Sequence, residues 1–180
     1  MIKRGAGVIL REEFINPPFS KGEDQDIIFA LEGGLGYALP MQKYKVFNHT
    51  ADIGCEIFGK TRKELFAKSV AALFDLMLEQ KSGKGKVSAT QSITVAGSDL
   101  EDLLINFLRE ILYFFNGQQW VVTNCHVSEI TRKHIVAQLS GEPYNPKKHQ
   151  VKIEIKAVTY HGLSIKKAKV GWKARVIFDV

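Results

Sequence analysis

The sequence predicts an α+β domain in which two amphipathic helices pack on a mostly antiparallel sheet of about seven strands. Three observations carry this. Two capping boxes are each followed by an apolar stripe at spacings of three and four, several short runs are alternating or rich in β-branched residues, and short connections suit antiparallel neighbours. The chain has 180 residues, 45% of them hydrophobic and 24% charged, which excludes wholesale disorder, a collagen-like fibre and a disulfide-stapled miniprotein. No apolar run approaches the roughly 18 residues of a membrane span, so no membrane partner is expected. The apolar stretch GAGVIL near the start stops at Arg11-Glu12-Glu13, short of a secretory core of about 7–15 residues. Cys55 and Cys125 form no CxxC and are expected to be reduced, buried thiols of a cytoplasmic protein.

Residues 1–40 read as an N-terminal extension, either poorly ordered or an artefact of start-site choice, with Met41 as a plausible alternative start. NPPFSKGEDQD and LEGGLGYALP keep no period, and GGLG is no dinucleotide fingerprint. The domain proper is expected over 41–180. KYKVFNH (43–49) and IGCEIFG (53–59) alternate as two strands around the turn HTAD. Thr61 to Glu64 forms a capping box. Behind it Leu65, Phe66, Ser69, Val70, Leu73, Phe74 and Met77 make one face of a helix reaching about Glu79. KSGKGK (81–86) breaks the pattern but lacks the GxxxxGK[ST] spacing of a phosphate loop. VSATQSITVAG (87–97) is a strand by β-branched content. Ser98 to Glu101 makes a second capping box, and Leu103, Leu104, Phe107, Leu108, Ile111, Leu112 and Phe115 stripe a second helix ending near Asn116-Gly117. WVVTNCHVSEI, HIVAQLS, QVKIEIKAVTY, LSIKK and WKARVIFDV read as strands, with GEPYNP (141–146) as the clearest loop.

The charge is uneven. The chain carries +6, yet residues 1–40 hold four basic and six acidic residues, leaving +8 for the remainder. From Lys147 to Arg175 there are nine Lys or Arg and one acid, Glu154. Such a stretch draws polyanions, nucleic acid first among them, or forms a solvated lysine-rich sheet face.

Among groups that carry chemistry, the five histidines show no HExxH and no Cys/His pair spacing, which argues against zinc. There is no GxSxG elbow. The carboxylates are more informative. Asp52 sits in the turn between the first two strands. Asp179 ends the apolar run Val176-Ile177-Phe178, and only Val180 with its terminal carboxylate follows. Together they make an all-oxygen set suited to a hard cation. The alternative is an Asx-turn residue and a frayed tail. Lys156 alternates onto the polar face of VKIEIKAVTY beside Glu154, where a cross-strand ion pair is the simplest role.

FNHTADIG (47–54) with Gly59-Lys60-Thr61 and the helix ELF…ALFDLM (64–77) resembles the archease family. So do DLEDLL…FL…ILY (99–113), KAVTYH (156–161) and the final RVIFDV (175–180). The match spans Met41 to Val180, and residues 1–40 lie outside it. The resemblance implies a small α+β protein that is not itself a ligase but assists an RtcB-type RNA ligase in joining tRNA exon halves and other broken RNAs. It implies faster guanylylation of the ligase and multiple turnover. It also implies a divalent metal, calcium first with magnesium or manganese as alternatives, held by Asp52, Asp179 and Val180. Lys156 matches a position that activates the ligase; His49 and His161, within the matching blocks, are secondary candidates. RNA is then an indirect or weak partner. Two other readings stay open. One is a stand-alone RNA-binding module using the basic C-terminal half, although no RNP-like aromatic pair is present. The other is a metal-dependent hydrolase, for which His49 is the nearest candidate base.

Overall fold

Alternating apolar residues build the first hairpin. The computed structural model describes residues 44–49, 52–80 and 88–180, so the expectations for residues 1–40 and for the KSGKGK break lie outside it. Strand β1 (Tyr44–His49) pairs antiparallel with β2 (Asp52–Gly59). On one face of β2, Cys55 and Ile57 are wholly buried and stand opposite the equally buried Val176 and Ala174. Helix α1 (Arg62–Met77) starts at Thr61, whose hydroxyl accepts the Glu64 N–H at 3.1 Å. The Glu64 carboxylate reaches back one residue further than a simple capping box, accepting the Lys60 N–H at 2.7 Å. α1 stops at Met77 rather than near Glu79 because the chain turns extended there. Leu78–Gln80 forms β3, which pairs with β7 (His149–Val151).

Strand β4 (Ala89–Ala96) leads to α2 (Leu100–Asn116). The cap of α2 is Asp99, one residue later than the sequence suggests: its Oδ1 accepts the Asp102 N–H at 2.8 Å, and Asp102 Oδ2 accepts the Ser98 N–H at 2.8 Å. A carboxylate suits the positive end of the helix dipole better than the Ser98 hydroxyl does. β5 (Trp120–Ile130), β6 (His134–Pro143), β8 (Ala157–Lys167) and β9 (Trp172–Asp179) complete the described chain.

The class is α+β with antiparallel pairing throughout, as expected. The described strands number nine, in three sheets ordered β1-β2-β9-β8, β3-β7 and β4-β6-β5. The run QVKIEIKAVTY is not one strand. After β7 the amides of Lys152 and Ile153 donate to the Met77 carbonyl, tying this segment to the end of α1 and out of register with β8. β8 begins at Ala157 and continues through Lys167, absorbing the predicted LSIKK strand. A bulge between Thr159 and Ser164 interrupts its register, with Gly162 at φ 59°.

α1 packs against β2 and β5, and α2 against β8 and β5, so the helices touch both larger sheets. The Phe66 and Phe107 rings, one from each helix, meet at 5.8 Å between centroids. The predicted stripes are all buried, and Ala72, Leu76, Ile105 and Phe114 are buried beside them. Apolar burial on this scale, roughly 25 cal/mol per Å², is the main stabilising contribution.

Candidate functional site

Register brings the two aspartates together. β2 and β9 pair with Ile53 opposite Phe178. One step outward, Asp52 therefore stands level with Asp179, the first residue of one strand beside the last of the other. Directly opposed residues of an antiparallel pair point to the same face, with Cβ atoms about 4.5–5.5 Å apart. The adjoining row is Ile53, Phe178 and Val158, of which Phe178 and Val158 are wholly buried. Successive residues alternate faces, so the carboxylates project away from the helix side of the sheet. Both are half-buried, as is Val180.

Lys156 lies at the same end. Its N–H donates to the Asp179 carbonyl at 2.9 Å, continuing the ladder by one residue beyond β8. Its exposed side chain turns to the chain terminus, where Nζ donates to the Val180 main-chain oxygen at 3.0 Å. The terminus is thus tied to the sheet, and Val176, Ile177 and Phe178 behind it are wholly buried. The cross-strand ion pair that strand alternation offered as the simplest role of Lys156 gives way to this contact, because 152–156 is not a strand and presents no regular polar face.

His49 lies opposite Asp52 in the hairpin. His161 sits in the β8 bulge, beyond Thr159 from the Ala157–Asp179 pair, and is exposed. The end of the sheet therefore gathers Asp52, Asp179, Val180 and Lys156, with His49 beside them and His161 further off. Among the described residues no three His, Cys, Asp or Glu side chains cluster as a metal site. A cation at the Asp52–Asp179 pair would draw a further oxygen from the Val180 carboxylate. That donor set fits Ca²⁺ or Mg²⁺ and not zinc.

Beside Lys156 lies a shallow cleft of about 260 Å³ between α2 and the start of β8, whose lining includes Arg109, Tyr113, Asn116 and Lys156. The three α2 residues recur at i, i+4 and i+7, so helical spacing makes this polar face legible in the sequence. The Arg109 guanidinium lies 5.0 Å over the Tyr160 ring and donates to the Val158 carbonyl at 3.3 Å. The Tyr160 hydroxyl donates to Asp102 at 2.5 Å. That bond lowers the Asp102 carboxyl below its usual range and raises the Tyr160 phenol.

The remaining histidines, His126, His134 and His149, lie away from this end of the sheet. His134 faces Glu129 at 2.8 Å, and the exposed His126 stands opposite Gln138 in the β5–β6 register. His149 is 2% exposed; its Nδ1 accepts the Asn145 N–H at 3.1 Å, and its Nε2 faces the Glu142 carboxylate at 3.3 Å. Both cysteines are free thiols, Cys55 buried and Cys125 half-buried, and burial pushes each up to about 12. Part of the basic stretch is already paired within the chain. Lys148 pairs with Glu142, Lys173 with Glu56, Lys152 with the Asp75 carbonyl and Lys156 with Val180, while Arg175 stacks on Phe47. No described helix is long and apolar enough to cross a membrane.

A model of the Archease protein family (MTH1598/TM1083) matches residues 44–180. The chain is 37% identical over 143 residues to protein archease of Methanosarcina acetivorans, covering 77% of this chain and 97% of that one. It is 35% identical over 144 residues to protein archease of Pyrococcus furiosus, covering 78% and 100%. The solution structure of Methanobacterium thermoautotrophicum protein 1598 matches with a TM-score of 0.64 at 25% identity, covering 78% of this chain and 100% of that one. By sequence and by fold alike, the chain belongs to the archease family.

Proposed function

We propose that this protein is a metal-binding accessory factor, not itself a catalyst, that activates an RtcB-type RNA ligase in tRNA splicing and RNA repair. It would work in the cytoplasm, promoting guanylylation of the ligase and its multiple turnover. The observation that carries the reading is the convergence of Asp52, Asp179, Val180 and Lys156 on one end of the four-stranded sheet in a chain of this family. Asp52, Asp179 and the Val180 carboxylate would hold the cation, Ca²⁺ in the first instance with Mg²⁺ or Mn²⁺ as alternatives. When bound, the ion would supply positive charge for phosphate or carboxylate oxygens of the partner. Lys156 keeps the terminal carboxylate in place and offers a compact charge for the ligase or its nucleotide.

The stand-alone RNA-binding reading is less well supported, since much of the basic stretch is engaged within the fold. A ligation assay with limiting cognate ligase separates the two. The expected result is several product molecules per ligase only when this protein is present. Salt-dependent RNA binding with unchanged ligase turnover would overturn the proposal.

A further inference from the structure

We propose that β4 is the docking edge for a second copy of this chain, the two β4 strands pairing antiparallel across a twofold axis. An open sheet edge presents unpaired N–H and C=O groups, and folded proteins blunt such edges with charge, proline, bulges or brevity. The other described edges are blunted. β1 carries Lys45, and β8 carries Lys166, Lys167 and its bulge. β5 has two register shifts, and β3 and β7 are three residues each. β4 has none of these devices. Its eight residues, ATQSITVA, contain no charge, proline or glycine, and they pair with β6 in unbroken register from Ala89 to Ala96. Six are exposed and only Ile93 and Val95 are half-buried. Among the described residues no side chain bonds the backbone of 89–95; Asn106 closes only the last step, donating to the Ala96 carbonyl at 3.0 Å.

Self-pairing is the occupant this strand suits. A twofold antiparallel pair sets each residue against its own copy or a near neighbour, so any charge on the strand would meet a like charge. The chain carries +6 and two copies repel, yet this strand contributes nothing to that repulsion. A register centred on Ser92 matches face to face: Ser92 meets Ser92, Thr90 meets Thr94, and the half-buried Ile93 stays on the helix side.

The test uses the full chain, with its mass measured by sedimentation across a concentration series and hydrogen exchange followed at β4. The expected result is a monomer–dimer equilibrium in which β4 amides gain protection as the dimer forms. Ser92→Lys/Thr94→Lys should raise the dimer dissociation constant at least tenfold while leaving the thermal midpoint of the monomer near wild type. Gln138→Lys, opposite Ser92 on the inner strand β6, places a lysine on the same sheet but off the edge and should leave dimerisation unchanged. A chain that stays monomeric, or a double-lysine variant that dimerises as wild type does, overturns the proposal. So does β4 protection independent of concentration, which would mean that another segment of the same chain covers the edge.

Discussion

Lys156 is exposed, and its ammonium meets the Val180 oxygen at the chain terminus rather than any group of the core, so its removal has little to destabilise. Exposed charged contacts contribute about 1 kcal/mol at most. Lys156→Ala should therefore unfold near the wild-type midpoint while ligase activation falls at least tenfold, about 1.4 kcal/mol in transition-state terms. A folded Lys156→Ala protein that activates normally would remove the lysine from the proposed function. Asp52 and Asp179 make a separate prediction, because both are half-buried at the sheet end and neither belongs to the core. An Asp52→Ala, Asp179→Ala double variant should fold and lose calcium binding in titration calorimetry, and a tag appended after Val180 should weaken it by displacing the terminal carboxylate. Unchanged calcium affinity in the double variant would refute the metal set. At this scale the sequence named the candidates, but only the register showed that two aspartates 127 positions apart stand level at one end of the sheet. The contact between Lys156 and Val180 could not be read from alternation, since the strand it presumed is interrupted.

Glu142, at the end of β6, is the buried acid among the described residues, and its cation comes from the β6–β7 connection, so its behaviour belongs to the element rather than to any one residue. Glu142 is 4% exposed; the Lys148 ammonium, donating to it at 2.9 Å, holds its carboxyl below the ordinary value of 4.5 against the upward pull of burial. A carboxyl depressed on folding contributes stability that is fully present above its unfolded value and is lost as pH falls through the folded one. Chemical denaturation from pH 6 to pH 3 should thus show stability falling below about pH 4.5. Lys148→Ala should lower stability at pH 6 and flatten that fall. An identical pH dependence in the variant would show that Lys148 does not set the Glu142 carboxyl. GEPYNP was legible as a loop by its turn residues, yet β6 runs on to Pro143 and buries Glu142 before the turn begins. The α1 end is similar. Helical periodicity runs to Met77, but β3 beyond it exists because β7 is there to pair with it.

For the whole molecule, the family match begins at residue 44, where β1 also begins. A protein starting at Met41 should therefore unfold within a few degrees of the full chain in a calorimetric scan. Loss of the folded state on truncation would show instead that residues 1–40 complete the domain. The net charge is likewise a property of the whole. It favours polyanions at low salt, but tertiary structure decides how much of it is available, and several of the C-terminal cations, though none of these is buried, are already paired with Glu142, Glu56, the Asp75 carbonyl and Val180.

The α+β class and both helices with their buried faces were determined by the sequence alone, because local periodicity and cap chemistry act over a few residues and leave their pattern in order along the chain; the candidate site residues were named by the family resemblance and not by periodicity. Three matters were decided only by tertiary structure. Asp99 rather than Ser98 caps α2, because a carboxylate at the dipole end outcompetes a neighbouring hydroxyl. QVKIEIKAVTY divides because the Met77 carbonyl captures the amides of Lys152 and Ile153. Asp52 stands level with Asp179 because β2 and β9 pair in one register, and pairing between distant strands is set by how buried side chains pack across the sheet, which no local pattern records.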